Sequence, residues 1–218
     1  MNDREIHSAI RILRREVPKW ETPIVTLMAE TYQSPFRVLI SCILSLRTQD
    51  ATTAKAAHRL FAAADSAPAM LKLSAKRIEK LIYPVGFYKT KAKNILDICR
   101  TIIDEYHGRV PDEIDDLLKL KGVGRKTANL VVTLGYQKPG ICVDTHVHRI
   151  SNRWGYVKTK TPEKTEFALR AKLPSQYWIE YNDLLVSFGQ HLCRPISPLC
   201  SQCPIEKYCR QIGVGVRR

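Results

Sequence analysis

Lys126, Asp144 and four closely spaced cysteines are the residues whose types and surroundings point to chemistry. Lys126 follows Leu120-Lys121-Gly122-Val123-Gly124-Arg125, and a helical pattern runs from Arg125 to Leu134 before Gly135. An amine in the first turn of a helix meets the positive end of the helix dipole, which favours its neutral, nucleophilic form. Asp144 opens the next helical pattern, Val143-Asp144-Thr145-His146-Val147-His148-Arg149, in the N-cap position with Gly155 beyond its end. Together they supply what attack on a sugar C1′ requires: an amine nucleophile, and a negative charge that assists its deprotonation and stabilises a cationic sugar. Taken singly, the lysine reads as a solvated surface charge and the aspartate as a cap.

The cysteines are unevenly placed. Cys42, Cys99 and Cys142 stand among apolar residues and read as small core hydrophobes. Cys193, Cys200, Cys203 and Cys209 crowd together near the C-terminus and read as ligands, enough for a structural zinc or an iron–sulfur cluster. Only one Cys-x2-Cys pair occurs, with a single cysteine on either side, a spacing that fits a cubane cluster better than the paired ligands of zinc sites. Arg194, Lys207 and Arg210 make this loop basic, and Pro195, Pro198 and Pro204 stiffen it.

The residues at 120–127 read as a tight glycine turn between two helices. Glycines two apart let a ligand approach the backbone and aim N–H groups outward at a helix N-terminus, which suits a DNA phosphate. Gly-x-Gly alone also describes an ordinary turn. It is not a P-loop, because Gly124-Arg125-Lys126 lacks the Gly-Lys-Ser/Thr order, and it is not a dinucleotide fingerprint, because no strand precedes it.

Helical periodicity dominates the chain and alternation of the strand kind is scarce, so an all-α fold is expected. Ser34-Pro35 starts a helix with Phe36, Leu39, Ile40, Ile43 and Leu44 on its apolar face. Further helices are expected at about 4–16, 50–63, 75–82, 89–106, 112–120, 125–134, 145–154, 162–172 and 177–191. After His191 the helical pattern gives way to Pro, Cys and basic residues.

At 218 residues, 44% hydrophobic and 26% charged, the chain can bury a substantial core, which excludes wholesale disorder. No apolar run approaches the roughly 20 residues of a bilayer span, and the mixed charge of Met1-Asn2-Asp3-Arg4-Glu5 is unlike a secretory signal. A cytoplasmic, nucleoid-associated location is expected, and no membrane partner. Lys and Arg outnumber Asp and Glu by 35 to 21, a formal +14, with the excess spread along the chain. A basic face for a polyanion follows, and nucleic acid is favoured because no long basic amphipathic stretch offers itself to a membrane. Composition alone leaves a merely solubilising charge open.

Leu120 to Lys126, Val143 to Arg149 and the four spaced cysteines, in that order, resemble the endonuclease III family of the helix-hairpin-helix DNA glycosylase superfamily, and the likeness runs from about residue 25 to 210. The resemblance implies a bifunctional DNA N-glycosylase and abasic-site lyase of base-excision repair. Such an enzyme removes oxidised pyrimidines from double-stranded DNA through a lysine Schiff base, cleaves the strand by β-elimination, and is expected to be a monomer. It makes Lys126 the nucleophile and Asp144 its carboxylate partner, with Cys193, Cys200, Cys203 and Cys209 ligating a [4Fe-4S] cluster. It implies a helical barrel at about 28–138, a discontinuous cluster domain of 1–27 and 139–218, and an active site in the cleft between them. DNA contacts fall on Lys121, Gly122, Val123, Gly124, Arg125 and His146. Arg47 and Phe87 match the positions that fill the space left by a flipped nucleotide.

The pattern also has departures. Arg47 stands where the family often has Gln, Lys121 where it usually has Pro, and Phe87 where Leu is common. Phe87 can equally be read as core packing. One alternative is a monofunctional mismatch glycosylase that removes adenine, thymine or uracil with a water nucleophile, whose relatives generally lack the hairpin lysine. The other is a non-enzymatic DNA-binding iron–sulfur protein, which gives Lys126 and Asp144 no reason to co-occur.

Overall fold

The computed structural model describes residues 1–20 and 34–218, so the expected domain boundary at 27/28 lies outside the described residues. Among those described, every regular element is helical, as the periodicity predicts. In chain order they are α1 (Asp3–Glu16), α2 (Pro35–Ser45), α3 (Asp50–Ala63), α4 (Ala67–Leu71), α5 (Ala75–Ile82), α6 (Tyr88–Tyr106), α7 (Ile114–Leu117), α8 (Arg125–Leu130), α9 (Thr145–Arg153), α10 (Pro162–Lys172) and α11 (Tyr181–His191). Among the described residues no helix is long and apolar enough to cross a membrane. The chain divides into two compact units, Met1–Pro23 with Ile141–Arg218, and Ile24–Gly140.

In the first unit, α1 is started by a reciprocal cap. Asn2 Oδ1 accepts from Arg4 N and Glu5 N, and Glu5 returns its carboxylate to Asn2 N. The helix buries Ile6, Ala9, Ile10 and Leu13, the i, i+3, i+4, i+7 stripe of one face. These pack in one core with Val147 and Ile150 of α9, Leu169 of α10, and Tyr181, Leu185 and Phe188 of α11, with Trp154 buried among them.

In the second unit α2 is the central element, buried at Phe36 and from Val38 to Leu44 and packed on α3, α6 and α8. Ser34 Oγ accepts from Arg37 N and Pro35 occupies the first turn, the start that Ser34-Pro35 announces. The long α6 packs on α4 and α5.

Three segments depart from expectation. The helix expected at 112–120 shrinks to α7, because from Leu118 the chain closes i to i+3 turns (Lys119 N to Asp116 O, Leu120 N to Leu117 O, Val123 N to Leu120 O) that lead into the glycine turn. The helix expected at 125–134 is α-helical only to Leu130 and widens into a π-turn over Val131–Gly135, where the Thr133 hydroxyl donates to Asn129 O and competes for its carbonyl. The segment expected at 177–191 breaks into a short 3-10 turn at Ser175–Tyr177 and then α11. The five-residue α4 was not foreseen, since it is too short to show a period.

Candidate active site and nucleic-acid interface

The hairpin leads from α7 to α8. Gly122 has φ +78°, which favours glycine, and a Cβ there would lie 2.9 Å from the Asn94 amide of α6, which would have to swing aside. The Val123 side chain is buried, which pins the turn and leaves its backbone as the part that can meet a ligand. Lys121 Nζ lies 2.8 Å from Asp97 Oδ2 of α6 and holds that carboxyl below its usual range. Gly124 is the N-cap of α8 and has no side-chain acceptor, so the end of the helix is shaped by backbone alone.

Lys126 stands in the first turn of α8 and is exposed, while Thr127, Ala128, Asn129 and Leu130 turn inward. Below it, burial pushes the Cys42 thiol of α2 up to about 12, with the Lys126 charge pulling the other way. The isolated cysteines are core residues as expected: Cys42, Cys99 and Cys142 are all buried.

Asp144, in the other unit, is the N-cap of α9. Its Oδ1 accepts from His146 N at 2.8 Å and Val147 N at 2.9 Å. The His146 ring is half-buried, with Nδ1 3.2 Å from Arg149 Nη2, and Gly189 of α11 leaves the room that its imidazole occupies.

Arg47 and Phe87 are brought together. Both have positive φ, 53° and 57°, and the Arg47 guanidinium lies 5.7 Å from the centre of the Phe87 ring. Phe87 is 63% exposed, which decides against core packing. The loops carrying them touch through backbone. Gly86 N donates to Thr48 Oγ1, and a Cβ at Gly86 would meet Arg47 O at 2.7 Å. Sequence reasoning missed Lys91 here. It reads as one more surface lysine of α6, yet it is 6% exposed, and burial pulls its ammonium down to about 8.

Cys193, Cys200, Cys203 and Cys209 line one pocket together with Arg153, Trp154, Phe188 and Leu192. Among the described residues no group of three or more His, Cys, Asp or Glu is arranged to hold a metal ion. The donor set nevertheless fits a body that carries positive charge and takes thiolates around it. Burial, reinforced by the neighbouring sulfurs, pushes the Cys203 thiol up to about 12 and raises Cys200 and Cys209, so these three resist ionising without a cation among them. Donors to sulfur are in place. Gln211 N lies 3.3 Å from Cys209 Sγ, and Arg153 Nη1 lies 3.6 Å from Cys193 Sγ. Arg153, also missed in the sequence, ties α9 to the loop by donating to Arg194 O and Pro195 O at 2.6 Å each.

Comparison with known proteins places this geometry. Residues 40–175 match the HhH-GPD superfamily of base excision DNA repair proteins. Endonuclease III of Thermotoga maritima is 49% identical over 184 residues, covering 83% of this chain and 86% of that protein. Endonuclease III of Escherichia coli is 35% identical over 178 residues, covering 82% and 84%. A solved trapped endonuclease III–DNA covalent intermediate, an estranged-adenine complex, superposes with a TM-score of 0.85 at 32% identity and 97% coverage of both chains. With its all-helical two-unit fold, its glycine hairpin and these likenesses, the chain belongs to the endonuclease III family of the HhH-GPD superfamily.

Proposed function

We propose that this protein excises oxidised pyrimidines from double-stranded DNA and then cleaves the strand, as a bifunctional glycosylase and abasic-site lyase. The observation that carries the reading is Lys126, an exposed amine in the first turn of a helix that begins at a glycine hairpin, in a chain similar to an endonuclease III trapped covalently on DNA. Lys126 Nζ bonds to C1′ as the C1′–N bond breaks and the base leaves with that electron pair, taking up a proton. The sugar ring opens to an iminium. Loss of a C2′ proton then expels the 3′ phosphate by β-elimination. Asp144 offers its carboxylate to take the amine proton and to stabilise the sugar cation, with two backbone amides fixing its orientation.

The same reading assigns the remaining roles. Gly122, Val123 and Gly124 give backbone amides to a phosphate, Lys121 and Arg125 supply charge beside them, and His146 lies next to Asp144 as a further DNA contact. Arg47 and Phe87 fill the space of the extruded nucleotide. Cys193, Cys200, Cys203 and Cys209 would hold a [4Fe-4S] cluster, and their half-buried grouping around one pocket and the amide donor at the Cys209 sulfur support that assignment. When bound, such a cluster supplies a staple that orders the basic loop at 193–209. The protein works as a monomer in the cytoplasm, on the nucleoid.

Lys126→Gln is the test. It keeps a polar side chain of similar length and removes the amine, so excision and strand cleavage should both vanish while duplex binding persists. Borohydride should trap the wild type on thymine-glycol duplex and fail with the variant. Excision that survives in Lys126→Gln with loss of strand cleavage alone would make water the nucleophile and assign the protein to the monofunctional class.

A further inference from the structure

We propose that Lys91 is a positioning residue for lesion recognition: from inside the second unit it clamps the Arg47 loop onto the start of α6, so that Arg47 and Phe87 enter DNA as one wedge. The inference rests on the reading of those two side chains given above.

Lys91 reaches both loops at once. Its backbone N–H donates to Phe87 O at 3.0 Å, one helical turn back. Its ammonium donates to Leu44 O at 2.8 Å, Leu46 O at 2.6 Å and Thr48 Oγ1 at 3.3 Å, around the loop in which Arg47 stands. Leu44 O and Leu46 O lie at the end of α2, where helix carbonyls have no partner within the helix, and Thr48 Oγ1 follows in the loop. Three donors on one nitrogen answer three acceptors that no neutral side chain of this length could serve. Thr48 completes the joint by accepting from Gly86 N at 3.2 Å and donating to Leu46 O at 3.2 Å. Arg59 braces the far side of the same turn, donating to Leu81 O at 2.8 Å and Tyr83 O at 2.6 Å.

The device has a purpose because Arg47 and Phe87 hold backbone conformations that side-chain-bearing residues adopt only when their surroundings compel them. Neither exposed side chain makes core contacts enough to do so, whereas Lys91 is buried and bonded to both segments. A wedge must also resist the stack it enters, and a loop free to relax would fold back on insertion.

The experiment compares wild type, Lys91→Met, Arg47→Ala and Phe87→Ala in single-turnover excision of thymine glycol, once in a matched duplex and once in a bubble of unpaired bases. Rates are normalised to the borohydride-trappable fraction, and 2-aminopurine opposite the lesion reports unstacking. Lys91→Met should slow duplex excision at least tenfold, slow bubble excision less than threefold, and lose the fluorescence rise on binding. Equal losses on both substrates would make Lys91 merely structural and overturn the proposal. Wild-type duplex rates in Lys91→Met, with Arg47→Ala and Phe87→Ala impaired, would overturn it while sparing the wedge. Wild-type duplex rates in Arg47→Ala and Phe87→Ala would overturn the wedge itself and this inference with it. If Lys91→Met does not fold, Thr48→Val decides: it removes the shared hydroxyl at nearly constant shape, and a duplex loss of threefold or more with the bubble rate unchanged is required.

Discussion

Replacing Asp144 by Asn and by Ala separates the cap that this carboxylate makes from the part in catalysis proposed for it. Its Oδ1 accepts from His146 N at 2.8 Å and Val147 N at 2.9 Å, so Ala strips the first turn of α9 of both cap bonds, a loss of about 1–2 kcal/mol. Asn keeps an acceptor oxygen in the same place and loses the negative charge, with its attraction to the helix dipole, about 0.3–1 kcal/mol, and to Arg149. At roughly 2–4 °C per kcal/mol for a chain of this size, the melting temperature should fall by about 2–8 °C for Ala and about 1–4 °C for Asn. Catalysis should not follow that order. Neither variant has a carboxylate to take the amine proton, so both should lose at least about a hundredfold in single-turnover excision. The assay pairs thermal melts followed by far-ultraviolet circular dichroism, at matched iron content, with excision of thymine glycol. An Asn variant that excises at the wild-type rate would reduce Asp144 to a cap and refute its part in the chemistry. An Asn variant that melts as low as Ala would show that the oxygen does not cap.

Affinity for undamaged duplex should fall steeply with salt, with a log–log slope near about −4 to −5 for about four to six phosphate contacts, measured by fluorescence anisotropy; a flat line would remove the duplex from the account. Protein purified without oxygen from iron-replete cells should be yellow-brown and hold iron and sulfide, and Cys203→Ser should lose them; zinc without iron would refute the cluster assignment. Because burial holds the Lys91 ammonium down at about 8 against an ordinary 10.5, the unfolded chain keeps this proton through a window where the folded protein has lost it. Stability relative to Lys91→Met should therefore rise with pH between about 8 and 10.5, by up to about 3 kcal/mol in urea titrations, and a pH-independent difference would contradict the burial.

What could be read from the sequence was written locally. Thr161 and Pro162 start α10, which runs to Lys172 as expected, Ser74 caps α5 within its expected bounds, and α3, which has no side-chain cap, keeps its bounds through its apolar spacing. The glycine turn, the Asp144 cap and the spaced cysteines were legible for the same reason, each being a short pattern with its own physical constraint. What stayed hidden was non-local. Where α7 ends depends on turns that feed the hairpin, and the π-turn after Leu130 depends on a threonine hydroxyl choosing a carbonyl. Lys91 is the sharpest case. On α6 it lies between Lys89 and Lys93, both exposed, and nothing in its own stretch distinguishes it from them. The oxygens that single it out belong to Leu44, Leu46 and Thr48, 43 to 47 residues away. A buried cation is thus specified by the acceptors that surround it, and two of the three here are backbone carbonyls of a kind that every residue carries. Such a residue leaves no pattern in a single sequence, so polar positioning groups of this kind must be sought in the folded chain, by asking where each helix end sends its last carbonyls.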